Sequence, residues 1–305
     1  MKKIILCMLV VLSAKAFATD KVVVFIPGAG SSGPKMGSKL IGALMGVFKK
    51  DEYFRHWQKS LDTYHIPNFV CPKTEDGDTR GLFERAEECI SQITATPQCK
   101  SGRNIVLFGH SMGGIISRII ASDPRTRDCI HSVTTLSTPH RGTEIADFTM
   151  DQFEKEQSKN YSEEEMKSLR WVIKLIDFSP EKKRYIKQLQ RRRDGKNPTL
   201  FRAQDIPDND AVEYYSFSTS FQKTALAPLI LTNKIIASEI RKTDPRMDRS
   251  NDGIVPLYSQ AYGKFIAHFE TTHWEAVCPD PLTWTKGCEM ATPQIIDHLF
   301  WLAGE

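Results

Sequence analysis

Residues 104–114 read NIVLFGHSMGG, and the fold class follows from this segment and its neighbours. Residues 104–108 form a mostly apolar run, which predicts a strand buried on both faces of a parallel sheet. The next five residues match G-x-S-x-G, the pattern of a serine held in a sharp turn between a strand and a helix. Small residues must flank that serine because side chains would clash in the turn. The pattern therefore predicts Ser111 as a nucleophile.

Further apolar runs indicate strands along the rest of the chain, at residues 21–26, 68–71, 129–136, 214–218 and 264–269. Segments with helical periodicity alternate with them, at residues 40–64, 80–94, 112–122 and 293–302. This alternation predicts an α/β fold with a mostly parallel, doubly wound sheet. The rhythm breaks after residue 147, where a charged segment rich in helix formers begins. We expect residues 148–210 to be a helical lid or cap inserted into the domain.

The first 18 residues have the features of a cleaved export signal: two lysines, a short apolar core and an A-x-A site ending at Ala18. The alternative is a buried N-terminal helix. We expect residues 19–305 to form one hydrolase domain exported to the periplasm or outside the cell. No later stretch is apolar enough to span a membrane. The net charge of +4 does not by itself imply nucleic acid as a partner.

Export also bears on the cysteines, because oxidising compartments favour disulfides. Of the seven cysteines, six remain after removal of the leader, and six allow 15 pairings. We expect the pairs closest in sequence, Cys89 with Cys99 and Cys278 with Cys288. The alternative is buried free thiols.

A serine nucleophile needs a base and an acid that orients the base, in the chain order serine, acid, histidine. Asp252 lies in an Asp-Gly turn and is the predicted acid, although such a turn is often only a turn. Three histidines follow it. His268 lies within a strand pattern and His298 within the last helix, where packing or surface roles are expected. His273 falls in a loop after a strand and is the predicted base.

The oxyanion that develops during acyl transfer needs backbone N–H donors. Met112, the residue after the nucleophile, is expected to supply one of them. The glycine-rich loop after the first strand is expected to supply the other through Ala29, with Gly28 and Gly30 as alternatives. A phosphate-binding role for this loop is disfavoured because it lacks the G-K-[ST] ending of a P-loop.

Four segments resemble secreted bacterial triacylglycerol lipases of the Pseudomonas–Burkholderia type, at residues 108–114, 135–143, 250–255 and 273–277. The resemblance implies the α/β-hydrolase fold and a triad of Ser111, Asp252 and His273. It also implies that the insertion is a mobile lid, whereas a fixed cap with a charged face is the alternative. The chain departs from this family at Pro27, where His is usual, and at Trp274.

The same resemblance implies a structural calcium near the histidine, held by an aspartate two residues after it. Glu275 occupies that place, and Asp244 and Asp248 are candidates for the earlier aspartate. No organic cofactor is required by the predicted chemistry.

The sequence thus predicts a secreted serine hydrolase of carboxylic esters, a lipase or carboxylesterase that contacts lipid interfaces transiently. A phospholipase, lysophospholipase or thioesterase is an alternative, because the triad does not select the leaving group. A catalytically silent, hydrolase-like binding protein is the alternative from another class.

Overall fold

A computed structural model describes residues 19–29, 53–72, 79–158, 183–191, 205–223, 227–278 and 285–304. Within these residues lies a six-stranded sheet in which every neighbouring pair is parallel, with the strand order β2-β1-β3-β4-β5-β6. The strands are β1 Val22–Ile26, β2 Asn68–Val70, β3 Ile105–His110, β4 Ile130–Leu136, β5 Glu213–Ser220 and β6 Lys264–Glu270. All six predicted strands are confirmed.

The central strand β1 shows why the sequence forms a sheet covered on both sides. All five of its residues are buried. Val22, Val24 and Ile26 pack into one hydrophobic cluster, while Val23 and Phe25 pack into another. Because successive side chains of a strand point to opposite faces, the continuous apolar run fills two cores rather than one.

Helices cover both faces of the sheet. The described helices are α1 Arg55–Thr63, α2 Leu82–Ala95, α3 Pro97–Lys100, α4 Met112–Ser122, α5 Glu144–Ser158, α6 Lys183–Gln188, α7 Ala227–Thr243, α8 Leu257–Gln260 and α9 Lys286–Gly304. Helices α2, α4, α5 and α7 contribute to the first cluster, and α1 and α9 to the second. The doubly wound arrangement predicted from the sequence is therefore confirmed.

Two predicted helices differ from those observed. Of the helix predicted at residues 40–64, residues 40–52 lie outside the described chain and α1 begins at Arg55. The last helix begins at Lys286 rather than at residue 293, so Pro293 lies inside it. The prediction placed Pro293 at the helix start because proline is favoured in a first helical turn. In the structure the helix extends further towards the N-terminus, where the Cys278–Cys288 disulfide and the burial of Ala291 hold the residues before Pro293.

Three disulfides join Cys71 to Cys89, Cys99 to Cys129 and Cys278 to Cys288. The expected pair of Cys278 and Cys288 is confirmed, and that of Cys89 with Cys99 is wrong. Cys89 lies on the buried face of α2, which continues to Ala95. The six helical residues after Cys89 place Ala95 about 9 Å away from it along the helix axis. This distance is larger than the Cα–Cα distance that a disulfide can bridge.

The expected insertion lies partly within the described residues. One described part of it, residues 183–191, packs against the body of the domain, with Tyr185, Ile186 and Leu189 buried in the first cluster. The carbonyl of Leu189 accepts a hydrogen bond from the amide of Thr143 at 2.9 Å. Residues 159–182 and 192–204 lie outside the described chain, and the boundaries 148–210 stay a prediction.

Candidate active site

Ser111 lies in the turn between β3 and α4, at the carboxyl end of the central strands. Its backbone has φ 57° and ψ −130°, a left-handed conformation that costs energy in a non-glycine residue. Its amide donates a hydrogen bond to the carbonyl of Leu136 at 2.9 Å, which ties the turn to β4. The strand–turn–helix context predicted for this serine is thus present.

The two glycines of the pattern are required by close backbone contacts. A Cβ atom at Gly109 would lie 2.5 Å from the backbone nitrogen of Gly114. A Cβ atom at Gly113 would lie 2.0 Å from the carbonyl oxygen of Ile26 in β1. Both distances are far below van der Waals contact, so the sharp turn forms only with glycine at these positions.

Asp252 and His273 form a buried, hydrogen-bonded pair. Nδ1 of His273 lies 2.8 Å from Oδ2 of Asp252. The carboxylate is fully buried and the imidazole is 3% exposed. A carboxylate that accepts the Nδ1 proton fixes the ring orientation and leaves Nε2 free to accept a proton.

The turn after Asp252 surrounds its carboxylate with donors. Oδ1 accepts the amides of Ile254 at 3.0 Å and Val255 at 2.7 Å. Oδ2 accepts the hydroxyl of Thr219, at the end of β5, at 2.9 Å. Since an ionised carboxylate can only accept hydrogen bonds, this surrounding suits a charged aspartate. The Asp-Gly turn is therefore more than a chain reversal.

The histidine loop lies against the elbow through His110, the residue before Ser111. The rings of His110 and His273 are 4.6 Å apart between centroids. His110 Nε2 lies 3.0 Å from the carbonyl oxygen of His273. Among the described residues, the hydroxyl of Ser111 makes no hydrogen bond to the His273 ring. Such catalytic hydrogen bonds often tighten only when substrate binds.

The loop after β1 approaches Ser111 closely. A Cβ atom at Gly28 would lie 2.6 Å from Cβ of Ser111 and 3.1 Å from its hydroxyl oxygen. Ala29 follows in the turn and packs against the first cluster. Met112 begins α4, where amides have no acceptor within their own helix. Met112 therefore follows the serine directly, and Gly28, the residue before Ala29, approaches it, while Gly30 lies outside the described residues.

The other two histidines after Asp252 have structural surroundings. His268 lies on β6, with Nδ1 2.9 Å from the hydroxyl of Ser218 and Nε2 3.1 Å from that of Ser220. His298 is buried against Phe217, and its Nε2 lies 3.0 Å from the hydroxyl of Thr134. Neither forms a pair with a carboxylate like that of His273.

The residues around Glu275 do not confirm the expected calcium site. Its carboxylate accepts the hydroxyl of Thr272 at 2.7 Å, and its amide donates back to the same hydroxyl at 3.2 Å. Asp244 and Asp248 accept hydrogen bonds from backbone amides two residues after them. In the part of the chain that the structure describes, no group of three or more acidic, histidine or cysteine side chains could hold a metal ion.

Sequence reasoning missed three residues of the site. Thr219 and Gln260 contact the acid, the latter with Nε2 3.4 Å from Oδ2 of Asp252. The hydroxyl of Tyr53 lies 2.6 Å from Nδ1 of His110. The sequence marks Thr219 only by its place near the end of a predicted strand, and no feature of the sequence marks Tyr53 as part of the site.

The strand order and the serine elbow define the class of protein, one with the α/β-hydrolase fold. The mature lipase BlEst2 of Bacillus licheniformis has a similar structure, with a TM-score of 0.59 and 13% identity. That comparison covers 92% of this chain and 93% of the lipase. At this identity the likeness establishes the fold alone.

The family is narrower than this class. Residues 18–176, more than half of the chain, match the family described as the PGAP1-like alpha/beta domain, and the chain belongs to that family. A triacylglycerol lipase of Burkholderia plantarii is 30% identical over 115 residues, which are 37% of this chain and 32% of the lipase. A GPI inositol-deacylase of Candida albicans is 39% identical over 64 residues, 20% of this chain and 16% of the relative. The chain thus matches about a third or less of the length of these relatives.

Part of the lipase resemblance seen in the sequence is therefore confirmed. Similarity to triacylglycerol lipases is present, within a family that the sequence reasoning did not name. Among the described residues, no helix has both the length and the apolar character needed to cross a membrane.

Proposed function

We propose that this protein is an exported serine hydrolase that cleaves carboxylic esters of lipids, with Ser111, His273 and Asp252 as its catalytic triad. The observation that carries the proposal is the buried Asp252–His273 pair packed beside a strained serine elbow. A strained serine next to an imidazole oriented by a carboxylate is the arrangement that activates a hydroxyl.

The proposed reaction is acyl transfer in two steps. Nε2 of His273 accepts the proton of Ser111 as the serine oxygen attacks the ester carbonyl carbon. The tetrahedral oxyanion accepts hydrogen bonds from the amides of Met112 and Ala29. Collapse breaks the bond to the alcohol, which takes the proton from His273. A water molecule then gives a proton to His273 and attacks the acyl carbon. The bond from that carbon to the Ser111 oxygen breaks, the serine oxygen takes the proton back from His273, and the carboxylic acid is released.

The insertion is proposed to cover an apolar acyl site in water and to open at a lipid surface. The described residues 183–191 support a fixed position for this part of the insertion. Arg191 forms an ion pair with the buried Glu144 at 2.9 Å, and the carbonyl of Leu189 accepts the amide of Thr143. We expect residues 183–191 to stay in place when the insertion opens.

Export is proposed because three disulfides form among the described residues, as oxidising compartments favour. Cleavage is expected after Ala18, which gives a mature protein that begins at Thr19. Intact-mass measurement of the protein recovered from the periplasm and from the medium checks the cleavage site and the compartment.

The triad is tested with a fluorophosphonate probe, which labels an activated serine. Wild type is expected to be labelled and Ser111→Ala is not. An unlabelled but folded wild type would favour a silent binding protein and would refute the proposal. Esters of p-nitrophenol with increasing acyl length, followed by emulsified triacylglycerol, phospholipid, lysophospholipid and a thioester, then separate a lipase from the alternatives.

Membership of the PGAP1-like family and the match to a GPI inositol-deacylase favour a second candidate substrate, an acyl ester on the inositol of a glycolipid. The same site would perform the same chemistry, because only the leaving alcohol differs. Release of fatty acid from an inositol-acylated phosphoinositide, compared with release from triacylglycerol of the same chain length, distinguishes the two substrates.

A further inference from the structure

Tyr53 lies just before α1 and reaches the elbow from a part of the chain that the proposed mechanism does not use. Its side chain is buried, with 5% exposed. Its hydroxyl is 2.6 Å from Nδ1 of His110 and lies near the backbone of Gly28. The tyrosine therefore contacts the turn that holds Ser111 from beside the loop after β1.

The direction of each hydrogen bond follows from its partners. Nε2 of His110 faces the carbonyl of His273 at 3.0 Å, and a carbonyl only accepts, so Nε2 carries a proton. Burial, and then the nearby His273, hold the pKa of His110 well below its usual range, so the ring is neutral. Nδ1 then has no proton and accepts the hydroxyl proton of Tyr53.

This chain of hydrogen bonds joins two parts of the proposed catalytic site. His110 precedes the nucleophile and His273 is the base, while the backbone of Gly28, which precedes the expected oxyanion donor Ala29, lies near the Tyr53 hydroxyl. We propose that the Tyr53 hydroxyl is a positioning group, which holds the serine elbow in register with the histidine loop. This inference rests on the proposed function.

A purely structural role for Tyr53 makes a different prediction. Its ring packs edge-on against Phe54, with centroids 4.8 Å apart, and phenylalanine would keep that contact. A buried hydroxyl costs free energy unless it is hydrogen-bonded, and here it donates to Nδ1 of His110. The hydroxyl alone must therefore be removed to separate positioning from packing.

The test compares Tyr53→Phe with Tyr214→Phe. Tyr214 lies near the start of β5, at the opposite end of the sheet from Thr219, and its hydroxyl accepts the amide of Asn209 at 2.9 Å. Both changes remove one hydrogen-bonded hydroxyl, but only the first lies at the elbow. The readouts are kcat per serine titrated with a fluorophosphonate, thermal midpoint, and inhibition by a trifluoromethyl ketone and by the methyl ketone of the same chain.

Loss of an oxyanion donor lowers kcat by about 100- to 1,000-fold, so a misplaced donor is expected to cost on the order of tenfold. Tyr53→Phe should lower kcat and the affinity for the trifluoromethyl ketone, which forms a tetrahedral oxyanion, by a similar factor. Its affinity for the methyl ketone should stay unchanged. Tyr214→Phe should leave all these values unchanged.

A double-mutant cycle adds a second measurement that does not depend on one variant. His110→Leu breaks the same chain of hydrogen bonds, so its loss of kcat should not add to that of Tyr53→Phe. The positioning role would be overturned by additive losses of kcat in the double mutant. It would also be overturned if Tyr53→Phe kept wild-type kcat and wild-type affinity for the trifluoromethyl ketone. In either case, labelling of wild type by the fluorophosphonate would still support the hydrolase. A wild type that fluorophosphonate does not label would refute the hydrolase itself, and the positioning role with it.

Discussion

Asp252 and His273 are joined twice, although 21 residues separate them in the chain. Their side chains meet through Nδ1 and Oδ2 at 2.8 Å, and the amide of His273 donates to the carbonyl of Asp252 at 2.9 Å. The backbone bond fixes the loop without the carboxylate. The side-chain bond can therefore be changed while the position of the imidazole is kept, and its chemical role can be measured separately.

Asp252→Asn makes use of this separation. The amides of Ile254 and Val255 will keep the Asn oxygen at the Oδ1 position, so the NH₂ group faces Nδ1 of His273. The imidazole must then carry its proton on Nε2, where it cannot accept one from Ser111. We expect kcat to fall by about 10³- to 10⁴-fold with little change in thermal midpoint.

The measurement for Asp252→Asn is steady-state hydrolysis of a p-nitrophenyl ester, together with thermal unfolding. Asp297→Asn, an exposed carboxylate on α9, is the control and should behave as wild type. Retention of a tenth or more of wild-type kcat in Asp252→Asn would show that another group orients the base.

Gly28→Ala tests the approach of the proposed oxyanion loop to Ser111, the proposed nucleophile. The added Cβ would lie 2.6 Å from Cβ of Ser111, so either the loop or the serine must move. Because displacement of a donor or of the nucleophile weakens transition-state stabilisation, we expect kcat/KM to fall by about 100-fold or more. Gly304→Ala, whose added Cβ meets nothing within 4 Å, is the control. Equal kcat/KM values for the two variants would show that the loop adjusts freely.

Much of the fold could be predicted because local patterns determine it. The six strands are apolar runs, and the elbow needs glycines at positions that a short motif specifies. His273 could be selected over His268 because one lies in a loop and the other on a strand. These features depend on residues that are close together in sequence, where periodicity and turn chemistry are informative.

The rest of the site depends on which distant residues meet. Tyr53 contacts His110 across 57 residues, and Thr219 contacts Asp252 across 33, with no motif to mark either contact. The wrong pairing of Cys89 has the same origin. Nearness in sequence suggested Cys99, whereas the buried face of α2 points Cys89 towards Cys71 at the end of β2.

The Cys278–Cys288 disulfide closes a short loop directly after the histidine segment, because Cys278 follows His273 by five residues. Chain entropy gives a loss of about 3 kcal/mol of stability when a loop of this length is opened. For Cys278→Ser with Cys288→Ser we expect that loss in urea unfolding, and a lower kcat as the His273 loop loosens. The control, Cys99→Ser with Cys129→Ser, opens a longer loop away from the site and should lose stability without losing kcat in the folded protein. A Cys278/Cys288 variant with wild-type kcat would show that the histidine loop is held by its other contacts.

Acid stability provides a test of a buried group outside the proposed mechanism. Burial lowers the pKa of His298 from 6.5 to about 4. Between these pH values the unfolded chain binds a proton at His298 and the folded chain does not, so the free energy of unfolding must fall as the pH falls from 6.5 to 4. A shift of this size corresponds to a few kcal/mol, on the order of 3.

His298→Gln removes the titration and can keep a hydrogen bond to Thr134. The buried His110 and His140, whose pKa values burial also lowers, remain in both proteins and cancel in the difference. We therefore expect the free energy of unfolding, measured with urea, to fall less for His298→Gln than for wild type between pH 7 and pH 4. His56→Gln, an exposed change on α1, is the control and should follow wild type. An equal loss of unfolding free energy in His298→Gln and wild type over this range would contradict the prediction. It would show that the imidazole of His298 binds its proton in the folded protein without cost, so that water reaches the ring despite its packing against Phe217.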